Sequence, residues 1–471
     1  MRLSVTVIAC IFALAACRQA DAPAPDSSSS VARDGGPVDV PDAGGAPDAG
    51  PADAGPPKPD PHRIGGLGAG PWPAAAITVY GSAQGLLEAP LSASTDEAEN
   101  LWVVTHRALY LLRPGDKTFR RYTGADGLHV GSGWTEPPDF TLVVGGAAGE
   151  CFVGYYAHDT HDHTNLDPIA HMGKMDQVRL KPDLTLEVNR YDFHNSNDAH
   201  FWETRTVTSA VYDHFQHPGE LYVGSNHGVT RVQPAKFRLP ATPAERSFPQ
   251  GVELEWYADH VHPVVCDVGS CSGGPDDHVV FGDFFGLTLA DDGRLWMAGL
   301  TSAGAIRWTP NLQFWRNSWD PDNPFVPAMP GKGAPSVFDT TYTNLRAVAV
   351  TSDGTVWFAS GEVESWRGPT FGLAAWRDDN PYQRKFVDPR SIGAAEYNVL
   401  EMVAWDDKLV LGFPSTGLLV WKPGDARGKH MGIKEGLPGE AIGRMSLDRM
   451  VDPPQLFVPT EGGLAVLRSM P

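Results

Sequence analysis

A short pattern of apolar residues recurs along the chain and predicts β-strands. Each copy begins with an aliphatic residue or cysteine followed by an aromatic or aliphatic residue, and consecutive copies are 47 to 74 residues apart. The seven copies are Leu101-Trp102, Cys151-Phe152, Leu221-Tyr222, Leu295-Trp296, Val356-Trp357, Leu409-Val410 and Leu456-Phe457. Most are followed by a small residue and a second apolar run, although the second copy is poor at this point (Ala170 to Gly173). Regular repetition of short strands is typical of a repeat architecture.

Turn signals divide each repeat into several strands. Asp292-Gly293 and Asp353-Gly354 precede their apolar pairs, and Asp-Gly favours tight hairpin turns because Gly tolerates a positive φ. No segment shows a sustained 3.6-residue apolar period with helix caps. The pattern therefore predicts an all-β protein in which residues 63–471 form a seven-bladed β-propeller of four-stranded units.

The two ends of this region complement each other. The last repeat ends near Leu467 with three strands of its own, whereas Tyr80 to Leu86, before the first repeat, matches the tail of that repeat at Tyr122 to Leu128. We predict that residues 77–80 supply the outer strand of the last unit. The ring would then be closed by this N-terminal strand, without two free sheet edges.

The repeat resembles a known family. Asn100-Leu101-Trp102-Val103-Val104-Thr105, with Phe119-Arg120-Arg121-Tyr122 and Asp126-Gly127-Leu128 downstream, is similar to the two-component regulator propeller repeat. Asp292 to Gly299 and Asp353 to Phe358 are similar to its core. The resemblance implies a propeller fold. In that family such propellers commonly form the periplasmic sensing parts of membrane histidine kinases.

The N-terminus reads as a targeting segment. Residues 1–16 have one early arginine and a short apolar stretch, and Leu14-Ala15-Ala16-Cys17 resembles the bacterial lipobox, in which the cysteine is lipidated. The alternative is an ordinary signal peptide. Residues 17–62 combine Cys17 with a segment rich in Pro, Ala, Gly and Asp, which predicts a disordered linker. We therefore expect a lipoprotein of the bacterial cell envelope, held at the outer membrane by an acyl (palmitate) anchor on Cys17.

Charge narrows the range of partners. The chain carries 57 acidic and 37 basic side chains and a formal net charge of -20. An acidic surface repels phosphate backbones, so nucleic acid is not an expected partner. Beyond the first residues, no apolar run is long enough to span a bilayer. The expected partners are the membrane, through the lipid anchor, and an envelope protein or small ligand.

Three cysteines remain in the exported body of the chain. Cys266 and Cys271 lie five residues apart in an oxidising compartment, which predicts a local disulfide bond. A metal clip with His260 and His262, or two free thiols, are the alternatives. Cys151 is then left over, and we expect a buried small apolar side chain.

Thirteen of the 16 histidines lie between His129 and His278. The repeat places several of them, with one aspartate, in second-to-third-strand loops or in links between units, which share one rim of a propeller. These candidate ligand or metal residues are His158, His161, His163, His227, Asp259, His260 and His262. Imidazoles and carboxylates that converge on a rim could bind a transition metal. Solvated or structural histidines are the alternative, since the spacing matches no metal signature. By the same reasoning, His214 and His217 lie in a first-to-second-strand turn at the opposite face.

Two hypotheses for function follow. Trp366 and Arg367 lie in a loop on the same rim and are candidate recognition residues, because aromatic and arginine side chains often anchor ligands. The leading hypothesis is a recognition or scaffold domain without catalytic residues. The alternative is a metal-dependent lyase or hydrolase that uses the rim His and Asp residues, and the fold by itself does not decide between them.

Overall fold

The computed structural model describes residues 76–128, 139–156, 173–193, 207–225, 229–232, 258–261, 264–266, 277–279, 284–299, 303–308, 314–315, 345–360, 372–377 and 385–469. All of them belong to one compact unit. Within these ranges the chain forms seven four-stranded antiparallel sheets and one two-stranded sheet. The all-β prediction is therefore confirmed.

The sheets are numbered here in chain order. Strand β1 (Ile77–Tyr80) precedes sheet 1, which contains β2 (Ser92–Thr95), β3 (Leu101–Val104), β4 (Leu109–Leu112) and β5 (Arg120–Tyr122). Sheet 2 contains β6 (Asp139–Gly145), β7 (Glu150–Tyr156), β8 (Gly173–Leu180) and β9 (Leu186–Phe193). Sheet 3 contains β10 (Val207–Asp213), β11 (Glu220–Ser225), β12 (Val229–Val232) and β13 (Ala258–Val261), followed by the two-stranded sheet of β14 (Val264–Cys266) and β15 (Asp277–Val279).

The second half of the chain repeats the plan. Sheet 4 contains β16 (Phe284–Leu289), β17 (Leu295–Gly299), β18 (Ala303–Trp308) and β19 (Phe314–Trp315). Sheet 5 contains β20 (Leu345–Val350), β21 (Val356–Ser360), β22 (Leu373–Trp376) and β23 (Lys385–Val387), and sheet 6 contains β24 (Glu401–Trp405), β25 (Lys408–Gly412), β26 (Leu418–Trp421) and β27 (Lys429–Met431). Sheet 7 contains β28 (Ser446–Asp448), β29 (Gln455–Thr460), β30 (Gly463–Leu467) and, as its outer strand, β1.

The recurrent apolar pairs form the second strand of each sheet. All seven pairs lie in β3, β7, β11, β17, β21, β25 and β29, and their side chains are buried. The Asp-Gly turns precede β17 and β21 as predicted, with Gly293 at φ +83° and Gly354 at φ +79°. The apolar sequence pattern therefore marks the strands that pack against neighbouring sheets on both faces.

The predicted role of residues 77–80 is confirmed at the level of strand pairing. Strand β1 runs antiparallel to β30, with Ile77 opposite Leu467 and Tyr80 opposite Leu464. The two matching segments, Tyr80 to Leu86 and Tyr122 to Leu128, also fold alike. Each forms a short 3-10 turn that ends at a left-handed glycine, Gly85 or Gly127, and is followed by a buried leucine.

The first strand of each sheet contacts the first strand of the next. Contacts join β2 to β6, β6 to β10, β10 to β16, β16 to β20 and β20 to β24, and strand β28 contacts both β24 and β2. Sheets 7 and 1 are also joined by hydrogen bonds: Thr95 Oγ1 donates to Asp448 Oδ2 at 2.6 Å, and the Arg444 amide donates to the Leu91 carbonyl at 2.7 Å. The order of contacts along the described strands is cyclic.

The sequence pattern marked one strand poorly. The third strand of the second repeat is β8, Gly173–Leu180, which begins at the last residue of the segment that matched the repeat poorly. Its sequence includes Asp176 and Gln177, which are buried although they are polar, so they interrupt the apolar pattern. The expectation for Cys151 is confirmed, because its side chain is fully buried and its thiol is free.

Candidate functional site

A cavity runs between the first strands of all seven sheets. Its volume is about 770 Å³, and it is lined by residues of β2, β6, β10, β16, β20, β24 and β28. Pockets for small ligands commonly have volumes of about 300–1,000 Å³. The cavity is therefore the candidate site, and its two ends differ in chemistry.

The end at which the first strands begin carries an arginine guanidinium close to an aromatic ring. Phe285 and Arg346 each occupy a register shift near the start of their strand, β16 and β20 respectively. A β-bulge re-aims a side chain locally, and here the Arg346 guanidinium carbon lies 4.1 Å from the centre of the Phe285 ring. Gly286 lets the backbones of β16 and β20 lie close together here, because a Cβ at this position would lie 2.9 Å from the Ala347 Cα. We call this end of the cavity the arginine end.

A second arginine and a glutamate complete the arginine end. Glu401 is the first residue of β24, and Arg444 lies just before β28. The Arg444 Nε and the Glu401 Oε1 are 3.8 Å apart, and about a fifth of each side chain is exposed (24% and 21%). The backbone of Arg444 is held by its hydrogen bond to Leu91, the residue before β2, and this fixes the point from which the side chain extends.

The carboxyl group of Glu401 is electrostatically unusual. Burial in the cavity wall raises its pKa to about 7, although the positive charges of Arg444 and Arg346 act in the opposite direction. Desolvation penalises the ionised form more than these two cations stabilise it. Glu401 therefore changes its charge near neutral pH.

The opposite end of the cavity is acidic. It is formed by residues in or beside the turns between first and second strands, where six aspartates accompany two arginines. These residues are Asp213, Asp291, Asp292, Asp406, Asp448 and Asp452, with Arg294 and Arg449. Several of the carboxylates stabilise their turns, as Asp213 does by accepting hydrogen bonds from three successive backbone amides. Among the described lining residues, Arg346 and Arg444 with Glu401 thus lie at one end of the cavity and most of the aspartates at the other.

Most residues predicted as site residues from the sequence lie outside the described ranges. These are the lipidation residue Cys17, Cys271, the candidate ligand or metal residues His158, His161, His163, His227 and His262, and the candidate recognition residues Trp366 and Arg367. The backbone of Cys266 ends β14, but its side chain is not described. The disulfide bond, the metal site and the recognition loop stay predictions. Among the residues that the structure describes, no group of three or more His, Cys, Asp or Glu could hold a metal ion.

The expected position of Asp259 and His260 was wrong. The sequence interpretation placed them in the link between the third and fourth units, but they lie in β13, the fourth strand of sheet 3, opposite Arg231 and Thr230. The error arose because residues 233–257 separate β12 from its partner, whereas other fourth strands follow more closely. Pairing with β12 holds the backbones of Asp259 and His260 in the sheet.

His214 and His217 lie in the turn between β10 and β11, as predicted. His214 Nδ1 is 3.3 Å from Glu97 Oε1, and its ring centre is 4.7 Å from that of Tyr212. His217 Nδ1 is 3.3 Å from Asp213 Oδ2. His214 therefore contacts a side chain between β2 and β3 of sheet 1, and His217 contacts a side chain of its own sheet.

The arginine end was not predicted from the sequence. Phe285, Arg346, Glu401 and Arg444 come from four sheets and match no motif. A signal was nevertheless present, since Arg346 and Glu401 are charged residues near the start of otherwise apolar first strands. Charged side chains in such strands need a solvated or polar surface, which the cavity supplies.

Comparisons with known proteins give structural similarity only. No protein-family profile matches the chain, and no curated protein matches it. The extracellular domain of a putative hybrid two-component system from B. thetaiotaomicron is similar at TM-score 0.46 and 12% identity, covering 84% of this chain and 42% of that one. A streptogramin B lyase is similar at TM-score 0.47 and 8% identity, with 83% and 97% covered, and YCF48 bound to D1 peptide at 0.46 and 11%, with 85% and 97% covered. At these scores the similarities assign no function to this chain.

The described residues include no helix with the length and apolar composition needed to cross a membrane.

Proposed function

We propose that residues 63–471 form a closed seven-bladed β-propeller that acts as a recognition domain, with its ligand or protein partner bound at the arginine end of the cavity. The cyclic order of contacts between first strands supports closure. The hydrogen bonds between sheets 7 and 1, and the pairing of β1 with β30, support it further. A ring of this kind gathers residues from distant parts of the chain around one axis.

The cavity is the observation that carries the recognition role. It combines the size of a ligand pocket with the close pair of Phe285 and Arg346 and a second arginine, all within strands or directly beside them. Groups held on strands are more rigid than groups on loops, and a rigid site binds with less loss of conformational freedom.

We further propose that the domain is tethered in the bacterial envelope by lipid on Cys17, through the 17–62 linker, at the outer membrane. The lipobox-like sequence and the composition of the linker support this assignment. Intact-mass analysis and radioactive palmitate labelling test it. We expect wild-type chain to carry acyl groups, and Cys17→Ala to carry none and to leave the membrane fraction. Unlabelled wild-type protein would refute the anchor.

Photo-crosslinking tests the location of binding. We would place p-benzoylphenylalanine at Phe285, in the arginine end, and at Phe386, which is 50% exposed in β23 at an outer strand, as the matched control. Irradiation in cells should give a mass adduct or protein conjugate at position 285 and none at 386. Conjugation at 386 alone, or at neither position, would contradict recognition at this end of the cavity.

A further inference from the structure

We propose that Glu401 and Arg444 together bind the primary carboxamide group of a ligand, in which the amide oxygen accepts a hydrogen bond from Arg444 and the amide N–H donates one to Glu401. This inference rests on the proposed function, because the two residues lie at the arginine end of the cavity. It goes further by naming the chemical group that is recognised and the pair of side chains that recognises it.

The two side chains have unused hydrogen-bonding capacity. Both line the cavity, and about a fifth of each is exposed (24% for Arg444 and 21% for Glu401). The Arg444 Nε and the Glu401 Oε1 are 3.8 Å apart, which is too far for a hydrogen bond. Within the described ranges, neither the carboxyl group nor the guanidinium forms a hydrogen bond with another side chain or with the backbone. A donor and an acceptor therefore lie side by side in the cavity wall.

The spacing of this donor and acceptor fits an amide. The oxygen and nitrogen of a carboxamide are about 2.2 Å apart, from standard bond lengths and angles. Two slightly divergent hydrogen bonds of about 2.9 Å can join these atoms to the Nε and Oε1 across their separation of 3.8 Å. A carboxylate ligand has no N–H for Glu401, and an ammonium ion has no acceptor for Arg444. A primary carboxamide supplies both.

The backbones that carry the pair are held by neighbouring strands. Glu401 lies opposite Gly412 in sheet 6. Arg444 forms a bridge with Ser92, and its amide donates to the Leu91 carbonyl at 2.7 Å. Because both backbones are fixed before a ligand arrives, binding requires little ordering of the protein.

The surroundings of Glu401 favour an uncharged group. A Cβ at Gly412 would lie 2.9 Å from Ile442 Cγ2, 3.2 Å from Met445 Cε and 3.4 Å from Glu401 Cβ, so hydrocarbon packs beside the base of the Glu401 side chain. Burial raises the pKa of Glu401 to about 7 in spite of the positive charges of Arg444 and Arg346, so an ionised group is costly here. An amide loses less hydration free energy than an ion when it enters such a site.

Binding of an amide should depend on pH through Glu401. The ionised carboxylate is the stronger acceptor for the amide N–H, because charge-assisted hydrogen bonds are stronger. The two cations that act on Glu401, Arg444 and Arg346, stay protonated in the neutral range. With a pKa of about 7, the ionised fraction of Glu401 rises about tenfold between pH 6 and pH 8, and the affinity should rise by the same factor.

Calorimetric titration of the full chain in a mild detergent tests the proposal, with benzamide as the probe. We expect one benzamide site per chain, and at least about tenfold weaker binding of benzoate and of N,N-dimethylbenzamide, which both lack the N–H. Arg444→Gln should weaken benzamide binding about tenfold to a hundredfold, as expected for loss of a charged hydrogen bond. Glu401→Gln should remove the dependence on pH. Arg294→Gln, at the other end of the same cavity, is the control and should leave the affinity unchanged.

The outcomes separate this proposal from the one on which it rests. Equal binding of N,N-dimethylbenzamide or benzoate, an equal loss with Arg294→Gln, a wild-type affinity that does not change between pH 6 and pH 8, or no benzamide binding at about 10 mM would overturn the amide site. Crosslinking at Phe285 without benzamide binding would overturn it while retaining recognition at this end. If benzamide binds, the mass of the crosslinked product distinguishes a small amide from an Asn or Gln side chain of a partner protein. If Arg444→Gln does not fold, the pH profile and the comparison of benzamide with N,N-dimethylbenzamide decide.

Discussion

Single residues decide the chemistry of the cavity, and they were the hardest part to predict. The repeat pattern pointed to histidine-bearing loops and links, because it placed most of the histidines on one rim of the predicted propeller. Arg346, Glu401 and Arg444 instead lie within or beside first strands, and only the arrangement of sheets brings them together. Residues that are separated by whole repeats and joined by no motif cannot be grouped from one sequence.

The raised pKa of Glu401 makes a prediction about stability. A carboxyl group with a folded-state pKa of about 7 and an ordinary value of 4.5 binds its proton more tightly in the folded protein. Its stabilising contribution is therefore present below pH 4.5 and is lost as the pH rises to about 7. Urea unfolding should show Glu401→Gln gaining about 1–3 kcal/mol relative to wild type between pH 5 and pH 8. An unchanged difference between the two proteins across this range would show that Glu401 does not titrate as described.

Secondary-structure elements were predicted more completely than the site. The second strands could be recognised because burial on both faces requires continuous apolar runs, as in Leu101–Val104. The small residue before most third strands also has a structural cause. At Gly417 the backbone has φ +77°, and a Cβ would lie 2.4 Å from the Met431 carbonyl oxygen, so the neighbouring strand leaves no room for a side chain. Strand β8 matched the repeat poorly because its buried polar residues, Asp176 and Gln177, interrupt the apolar pattern.

Comparing Gly354 with Gly417 separates the stability cost of a left-handed backbone from the cost of close contacts around the residue. Gly354 has a similar φ of +79°, but a Cβ at this position would have no other atom within 4 Å. Gly354→Ala should cost about 1 kcal/mol, from the left-handed conformation alone. Gly417→Ala should cost about 1–3 kcal/mol more, because the Met431 carbonyl must move. Chemical denaturation measures both, and equal costs would argue against close packing of strand β27 on Gly417.

At the scale of the whole molecule, the fold depends on the joining of the two chain ends. The matched tails predicted which segment would pair with the last repeat, since an incomplete last unit needs one more strand. The sequence could not show that β2 and β28 would share hydrogen bonds, because Thr95 and Asp448 are 353 residues apart. Residues of all seven sheets can line one cavity only if this junction between β2 and β28 is formed.

The most direct test of the closed ring is the thermal unfolding of chains with shortened N-termini. A chain that begins at residue 72 keeps β1 and serves as the control, whereas one that begins at residue 82 lacks it. We expect the control to unfold like the chain from residue 63, and the shorter chain to unfold about 10 °C lower or more, since it loses the buried side of β1 and exposes an edge of β30. A peptide of residues 72–86 should raise the unfolding temperature of the shorter chain towards that of the control, by pairing with β30. Identical unfolding temperatures for the chains from residues 72 and 82 would contradict closure by β1.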